Sequence, residues 1–364
     1  MTAIAFGSPS RYIQGPGELG RLRIHAGKYG SGLFAVIDSF FFDDLSAKFA
    51  ADYTAVEEPF FCVPFAGEIT KETIAAAATA AKESGCEVIA GIGGGKTLDT
   101  AKAVAAGLDL PLIVVPTSAS TDAPTSAMSI IYNDRHEHDD VYYYKKNPDL
   151  VLMDSRIIAD APVRFLVAGM GDALATVFEA RATLRTASPN YIDQQTGPYL
   201  GTRTAMQIAE LCGKTVLEHG AAAKKANEAH EVNDALEAVI EANTLMSGLG
   251  FENVGCAASH VICNGISATP EGDKALHGEK VAYGILCQLT AEKDWDNLKM
   301  VRAFYRQVGL PLLLADMGVP ATEENLRTIA ADTKNTEWVR EPFEMDDEAV
   351  YQILLAVEGM DRED

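Results

Sequence analysis

The first 155 residues alternate short apolar runs with segments of helical periodicity. The apolar runs have the length and the β-branched content of buried strands, and they lie at residues 33–37, 60–63, 88–90, 112–115, 129–132 and 150–153. An alanine-rich segment at 70–81 has the pattern of a helix. This order predicts a doubly wound, mostly parallel sheet, in which ligands bind at the carboxyl ends of the strands.

After Asp154 the pattern changes, because valine- and isoleucine-rich runs of strand type nearly disappear. Segments rich in alanine, leucine and glutamate show helical periodicity at 163–186, 201–218, 221–247, 281–290, 298–308, 323–333 and 347–359. We therefore expect two domains, an α/β domain at residues 1–155 and an all-α domain at residues 156–364. A cleft between two such domains is the usual place for a small-molecule site.

A glycine cluster, GIGGG at residues 91–95, follows the third apolar run, and a helical pattern begins directly after it. A strand, a glycine loop and a helix start bring backbone N–H groups and the positive end of the helix dipole to one point, and Lys96 adds a charge. A pyrophosphate suits this geometry. The cluster matches neither of the two standard phosphate-binding fingerprints, however, and such a cluster is often only a tight turn.

The charge balance and the cysteine pattern narrow the function. A net charge of −22 argues against nucleic acid as a partner, because nucleic-acid binding requires basic surface. The sequence has no apolar stretch of the roughly 18 residues that a membrane span requires, and its start lacks the pattern of a signal peptide. We therefore expect a cytoplasmic protein without a membrane partner. The six cysteines show no C-x-x-C spacing, which predicts reduced, mostly buried thiols.

Several polar residues stand out against small or apolar surroundings. Asp38 follows the first apolar run, where it would contact a ribose or cap the next helix. The hydroxyl-rich segment 117–126 would bind a polar ligand or form an ordinary loop. Asp172, His260 and His277 would complete a His₂–carboxylate metal set with a fourth position open, although isolated histidines in apolar sequence are more often core residues.

Six segments, in order along the chain, resemble the glycerol dehydrogenases of the iron-containing (group III) alcohol dehydrogenase superfamily. They are SPSRYIQGPGEL at 8–19, GIGGGKTLDTAK at 91–102, PTSASTDAPTSAMSIIY at 116–132, GMGDALATVFEA at 169–180, GFENVGCAASHVICNG at 250–265 and HGEKVAYG at 277–284. The resemblance implies a dehydroquinate synthase-like fold, with a nucleotide-binding α/β domain, a helical metal-binding domain and an active site between them. It also implies NAD-dependent oxidation of glycerol, a polyol, to dihydroxyacetone, and a homo-oligomer, often an octamer in this superfamily.

The resemblance assigns roles to individual residues. Asp38 would hold the adenosine ribose and thereby favour NAD over NADP. The pyrophosphate and the rest of NAD would lie against Gly94, Gly95, Lys96, Thr97, Thr117, Ser120, Ser126, Met128 and Tyr132. Asp122 would contact the polyol. Asp172, His260 and His277 would bind zinc, which would act as a Lewis acid on the hydroxyl oxygen, so that these three and Asp122 are the candidate catalytic residues.

Two positions depart from the pattern of the superfamily. Iron-type members typically carry a fourth ligand, a histidine, at the position that Thr176 occupies here. Three ligands without a soft thiolate favour catalytic zinc. Close relatives often read H-A-I-H-N where this chain reads HVICN at 260–264, so Cys263 replaces a histidine that is not a ligand in the family pattern.

Other functions on the same scaffold stay open. A hydroxycarboxylate dehydrogenase would need a cationic partner for the substrate carboxylate, and the sequence does not locate one. A 3-dehydroquinate synthase-like lyase, or a dehydrogenase of glycerol 1-phosphate, would need several basic residues for a phosphate group. The metal segments are poor in such residues apart from Lys274 and Lys280. A non-catalytic nucleotide-binding protein is disfavoured because three plausible metal ligands are intact.

Overall fold

The computed structural model describes residues 3–133, 138–332 and 337–362. The strands in this part of the chain are β1 (Tyr12–Gly15), β2 (Leu33–Asp38), β3 (Phe60–Phe65), β4 (Val88–Gly93), β5 (Leu112–Pro116), β6 (Met128–Tyr132), β7 (His138–Tyr143) and β8 (Leu150–Asp154). Six of them form one sheet in the order β1-β8-β5-β4-β2-β3, and every neighbouring pair is parallel. The predicted parallel α/β sheet is confirmed.

The helices occupy both the crossovers of this sheet and most of the second half. They are α1 (Leu22–Ala26), α2 (Phe42–Thr54), α3 (Lys71–Ser84), α4 (Gly95–Leu108), α5 (Ser155–Asp160), α6 (Val163–Arg185), α7 (Arg203–Glu228), α8 (Asp234–Glu241), α9 (Ser247–Val254), α10 (Ala258–Ser267), α11 (His277–Glu292), α12 (Trp295–Val308), α13 (Glu323–Asp332) and α14 (Asp347–Glu358). A π-helical turn, Ala242–Met246, joins α8 to α9. Among the described residues, no helix combines the length and the hydropathy needed to cross a membrane.

Burial on both faces of the sheet explains its continuous apolar strands. In β2, Leu33, Ala35 and Ile37 pack into a core on one face. Phe34 and Val36 point the other way, into a larger core. A parallel sheet covered on both faces favours unbroken apolar runs over alternation, which is why the sequence identifies these strands.

The larger core continues from the sheet into the helical half without interruption. Val114 and Met153, on the sheet, belong to the same cluster of buried residues as Met170 on α6 and Leu286 on α11. The helical half therefore packs directly against the sheet. This packing places the carboxyl ends of the strands next to α6.

The predicted strand at 129–132 forms as β6, but its expected place in the parallel sheet is wrong. It pairs with β7 in an antiparallel hairpin. A parallel partner requires a crossover connection of a dozen or more residues, usually a helix, whereas β5 leads to β6 through a loop and a short 3₁₀ turn. The backbone N–H of Tyr132 donates to the carbonyl of Ile69 at 2.9 Å, which attaches the hairpin to the start of α3.

The predicted break between helices near residues 219–220 is also wrong, because α7 continues to Glu228. Gly220 is a packing position, since a Cβ there would come within 2.7 Å of the Phe304 ring. The chain breaks later, where Asn233 caps α8 by accepting the N–H of Leu236 at 3.0 Å. The predicted helix at 323–333 forms as α13, and Thr333 lies outside the described residues.

The start of the described chain contacts the helical half rather than the sheet. Gly7 and Asn253 form two hydrogen bonds: the Gly7 N–H donates to Asn253 Oδ1 at 2.7 Å, and Asn253 Nδ2 donates to the Gly7 carbonyl at 2.9 Å. Asn190 Nδ2 donates to the carbonyl of Ala5 at 3.0 Å. These residues tie the chain ahead of β1 to the region around α9.

Candidate active site

One face of α6 supplies three polar side chains to the interior. Asp172, Thr176 and Glu179 follow one another at spacings of four and three residues, so they lie on the same side of the helix. All three are buried. Burial of polar groups is tolerated only where they are hydrogen-bonded or bind a ligand. The partners of these three side chains therefore show what the face is for.

Glu179 fixes the first turn of α10 and the histidine that it carries. Glu179 Oε1 accepts the backbone N–H groups of Ala257 at 2.8 Å and His260 at 3.0 Å. Its Oε2 lies 2.7 Å from His260 Nδ1. An ionised carboxylate accepts hydrogen bonds, so Nδ1 carries the proton and Nε2 is left with a lone pair.

His277 begins α11, and close backbone contact brings it to α6. A Cβ at Gly171 would lie 2.4 Å from the carbonyl of Gly278. A Cβ at Gly278 would likewise lie 1.9 Å from the carbonyl of Ala168, so these two glycines allow α6 and α11 to touch. The Nδ1 of His277 lies 3.5 Å from Cys263 Sγ, and its Nε2 faces Asp172.

Three potential ligand atoms converge on one point. Asp172 Oδ1 lies 3.5 Å from His260 Nε2 and 3.3 Å from His277 Nε2. This oxygen is fully buried and accepts no hydrogen bond within the described residues. Ligands that lie about 2.1 Å from a tetrahedral zinc ion are about 3.4 Å apart. The observed separations match two edges of such a tetrahedron, so these residues fit a divalent cation.

The electrostatics of this cluster also call for positive charge. Burial alone would raise the pKa of Asp172, but the facing His277 and His260 outweigh burial and hold that pKa well below its usual range. Burial lowers the pKa of His277, but Cys263 and Asp172 outweigh it and raise the pKa to about 10. A bound cation replaces the protons that the cluster otherwise attracts.

Glu179, Cys256 and His260 form a second group whose ligand atoms lie within 4.8 Å of one another. Its geometry indicates a supporting role for Glu179 rather than a second metal site. The carboxylate already accepts three hydrogen bonds, one of them from the His260 ring. Carboxylates that orient metal-binding imidazoles have this arrangement.

Asp122 lies against the same cluster. Its backbone N–H donates to Asp172 Oδ2 at 3.2 Å, and its Oδ2 accepts the hydroxyl of Ser247 at 2.7 Å. Burial and the neighbouring carboxylate of Asp172 raise the pKa of Asp122 to about 7. The structure thus brings all four predicted catalytic residues together.

The glycine cluster lies at the switch point of the sheet, between β2 and β4, from which the chain leads to strands on opposite sides. Gly93 has φ +158°, and a Cβ there would meet Asp38 Cβ at 2.8 Å and Thr97 Oγ1 at 2.7 Å. Asp38 therefore lies beside the loop. A Cβ at Gly94 would meet no atom within 4 Å, which leaves space in front of the N–H groups at the start of α4.

One loop joins this switch point to the cluster of Asp172, His260 and His277. The Thr117 N–H donates to the carbonyl of Gly93 at 3.1 Å, and five residues later Asp122 bonds to Asp172. Five residues span at most about 18 Å. A Cβ at Gly95 would lie 3.9 Å from Thr121 Oγ1, so the loop passes directly in front of α4. The loop therefore connects the glycine cluster, over at most about 18 Å, to the cluster of Asp172, His260 and His277.

The other residues predicted to contact the cofactor lie around this loop and differ in the partners that they already have. Lys96 pairs with Glu68 and lies over the Tyr132 ring at 5.4 Å. The hydroxyls of Ser120 and Ser118 are 3.0 Å apart. Ser126 and Met128 are both bonded to Lys102, whose Nζ donates to Ser126 Oγ at 3.2 Å and to the carbonyl of Met128 at 3.0 Å. These bonds leave the Ser126 hydroxyl engaged within the protein.

The sequence patterns do not indicate three residues that support the site: Glu179, Ser247 and Lys102. Glu179 leaves a usable signal, since it is an acid seven residues after Asp172 on the same face of a mostly apolar helix. Lys102 is buried and lies one helical turn after Asp99, and its Nζ is 3.0 Å from Asp99 Oδ1. Ser247 leaves no local signal, because its partner Asp122 lies 125 residues away in sequence.

Comparisons with known proteins identify the family of the chain. A family model described as iron-containing alcohol dehydrogenase matches residues 9–155. A glycerol dehydrogenase from Thermotoga maritima is 43% identical over 359 residues, which cover 97% of this chain and 96% of that relative. The chain belongs to the iron-containing alcohol dehydrogenase family. The protein is accordingly a dehydrogenase that acts on a small-molecule substrate.

Two further relatives of this family match along the whole chain. A glycolaldehyde reductase from Halobacterium salinarum is 38% identical, and the match covers 100% of this chain and 99% of the relative. The crystal structure of a probable glycerol dehydrogenase from Sinorhizobium meliloti 1021 superimposes with a TM-score of 0.91 at 38% identity, covering 98% of both chains. The fold of the family therefore extends over both halves of this chain.

Proposed function

We propose that the protein oxidises glycerol, or a related 1,2-diol, to dihydroxyacetone or the corresponding hydroxyketone, with NAD as the hydride acceptor and zinc as the metal. The observation that carries the proposal is the loop 117–122, which joins the glycine loop to the cluster of Asp172, His260 and His277. Hydride transfer requires the nicotinamide and the reacting carbon of the alcohol to be side by side. The glycerol dehydrogenase relative supports the choice of substrate.

In this proposal the two ends of the loop hold different groups. The adenosine ribose contacts Asp38 beside the glycine loop. The pyrophosphate lies on the start of α4, at Gly94, Gly95, Lys96 and Thr97. Thr117, Ser120, Ser126, Met128 and Tyr132 line the rest of the cofactor site, with Ser126 contributing through its backbone because its hydroxyl already bonds to Lys102.

Asp172, His260 and His277 would hold the metal, which when bound supplies the Lewis acidity that lowers the pKa of an alcohol. The chain's own residues then orient the reactants. Asp122 accepts a hydrogen bond from the neighbouring hydroxyl of the diol and fixes which carbon faces the nicotinamide. His277 is 43% exposed, so the cluster opens to solvent on its side, and the released proton leaves there through water.

The glycolaldehyde reductase relative favours a second candidate, the reduction of a small hydroxyaldehyde. This reaction uses the same groups in reverse, since a carbonyl oxygen also suits a Lewis acid. A hydroxycarboxylate would require a cation near the metal cluster. Lys280 is buried there, but its Nζ donates to Ser267 Oγ at 2.6 Å. The ammonium group of Lys280 is thus already engaged by a hydroxyl, and a neutral hydroxyl-bearing substrate is the class that we propose.

A substrate panel tests the proposal. Zinc-loaded protein would be given NAD with glycerol, 1,2-propanediol or 2-hydroxybutyrate, and NADH with dihydroxyacetone or glycolaldehyde. We expect the highest kcat/KM with glycerol or 1,2-propanediol and their ketone products. A higher kcat/KM with glycolaldehyde would support the second candidate. Activity on 2-hydroxybutyrate alone would contradict the proposed substrate class, and binding of NAD without any turnover would favour the lyase.

Three further features stay predictions. We propose a domain boundary at residues 155–156, just after β8 and at the start of α5. A homo-oligomer and a cytoplasmic location follow from the resemblance and the sequence alone.

A further inference from the structure

A chain of three buried side chains links α6, α9 and the loop that ends at Asp122. The hydroxyls of Thr176 and Ser247 are 3.0 Å apart. Ser247 Oγ lies 2.7 Å from Asp122 Oδ2. Thr176 is 2% exposed, Ser247 is fully buried and Asp122 is 7% exposed, so water does not compete for these bonds.

The direction of the chain follows from counting protons. Ser247 donates its single hydroxyl proton to Asp122 Oδ2. Ser247 must then accept from Thr176, whose hydroxyl donates. Each bond polarises the next, which strengthens the whole chain in a site shielded from water.

The local fold holds Ser247 in place for this contact. It is the first residue of α9, directly after the π-helical turn. A Cβ at Gly248 would lie 1.8 Å from Thr125 Oγ1 and 2.8 Å from the carbonyl of Asp122. The backbone of α9 is thus pressed against the segment that carries Asp122. The other side of Asp122 is fixed by its backbone bond to Asp172.

We infer that Thr176 and Ser247 are positioning residues that orient the carboxylate of Asp122 for the second hydroxyl of a vicinal diol. Ser247 occupies Oδ2, while Oδ1 accepts no hydrogen bond from the described residues and is left for the substrate. This relay, which runs from Thr176 through Ser247 to Asp122, therefore determines specificity for diols over alcohols with one hydroxyl. This inference rests on the proposed function, because it assigns Asp122 to the substrate.

The test compares a diol with a mono-alcohol in matched variants. Ser247→Ala and Thr176→Val each remove one of the two hydroxyls, and Thr176→Ser retains the hydroxyl at residue 176. We expect Ser247→Ala to lower kcat/KM for 1,2-propanediol about ten- to a hundredfold, mainly through KM, because a hydrogen bond to a charged group is lost. The same variant should change kcat/KM for 2-propanol less than about threefold. Thr176→Val should show the same selectivity with a smaller loss, and Thr176→Ser should restore the wild-type ratio.

Thr183→Val is the matched control, because Thr183 is a buried residue of α6 whose hydroxyl donates to the carbonyl of Ala180 at 3.1 Å. It should leave the ratio of the two substrates unchanged. Equal losses for the diol and the mono-alcohol in Ser247→Ala would overturn the inference, since they would indicate a general structural role.

A binding measurement separates this inference from the proposed function. Wild-type protein that oxidises none of these alcohols would contradict the proposed function alone. The rise in Tm that glycerol causes in zinc- and NAD-loaded protein then decides the inference. Loss of that rise in Ser247→Ala, with its retention in Thr183→Val, would support the relay. Equal rises in all variants, or no rise in the wild type, would overturn it.

Discussion

At the scale of single residues, Glu179 determines how His260 can act. Its carboxylate accepts Nδ1–H at 2.7 Å and two backbone N–H groups. The imidazole therefore presents Nε2 to Asp172 with its tautomer and its ring orientation fixed. Supports of this kind typically contribute about 10–100-fold to metal affinity.

Glu179→Gln should weaken zinc binding by about 10–100-fold while the protein stays folded. The amide can accept the backbone N–H groups, but its NH₂ group faces the donor of His260. Zinc affinity would be measured by competition with a chelator. Glu252→Gln is the matched control, because Glu252 is a buried acid that bonds to Ala127 and Asn147 rather than to the cluster. Equal zinc affinity in the wild type and Glu179→Gln would contradict the supporting role.

Asp38 should determine which dinucleotide the protein prefers. Its Cβ lies beside Gly93 at the end of β2, and its Oδ1 accepts the N–H of Phe40 at 2.9 Å. From this position the carboxylate would accept the ribose hydroxyls and repel a 2′-phosphate. Asp38→Gly should reduce the preference for NAD over NADP by about tenfold or more, measured as the ratio of dissociation constants. Asp38→Asn separates charge from hydrogen bonding. An unchanged preference in Asp38→Gly would exclude this residue from the ribose site.

Glu252 should make stability depend on pH. Burial raises its pKa to about 7, and the hydrogen bonds from Ala127 and Asn147 only partly oppose this. The folded protein therefore holds this proton more tightly than the unfolded chain, and the free energy of unfolding falls as pH rises from about 4.5 to about 7. The difference in unfolding free energy between the wild type and Glu252→Gln should change by roughly 1–3 kcal/mol over this window. Urea unfolding at several pH values would measure it, and a constant difference would contradict the prediction.

At the scale of elements, the contact between α6 and α11 sets the distance between Asp172 and His277. Gly171→Ala would place a methyl group 2.4 Å from the carbonyl of Gly278 and force the two helices apart. We expect zinc affinity to fall at least about tenfold and stability to fall by about 1–3 kcal/mol, while NAD still binds.

Gly107→Ala is the control for Gly171→Ala. Gly107 is an exposed residue of α4, and a Cβ there would meet no neighbouring atom within 4 Å. This change should leave zinc affinity unchanged and raise stability by about 0.5–1 kcal/mol, since alanine favours helix. Zinc affinity that falls equally in both variants, or in neither, would contradict the role of the close contact.

The sequence predicts those elements that bury long apolar runs. β2, β4, β5 and β8 are such runs, and α3 begins after Thr70, whose side chain accepts the N–H of Thr73 at 3.1 Å. The apolar pattern does not predict β1, with the sequence YIQG, or β7, with the sequence HDDVYY, because neither is a continuous apolar run. It also does not predict α10, a helix of only ten residues.

At the scale of the whole molecule, the site depends on contacts that span the chain. The predicted ligands Asp172 and His277 lie in different helices far apart in the sequence, and no spacing rule relates them. The resemblance assigns them to one site. The structure supplies the physical reason, because α11, which carries His277, packs against α6, which carries Asp172. The relay from Thr176 to Asp122 could not be predicted, because it depends on a π-helical turn and on three separate elements.

We propose that Asp172, His260 and His277 hold a metal beside a bound NAD, and that the protein thereby oxidises glycerol. The most direct measurement is NADH formation from glycerol by wild type and His277→Ala, each before chelation, after chelation and after zinc is restored, with NAD binding measured in parallel. We predict that chelation abolishes the wild-type activity, that zinc restores it, and that His277→Ala stays inactive in all three states while it binds NAD as the wild type does. Full activity of His277→Ala, or wild-type activity that survives complete removal of metal, would contradict the account.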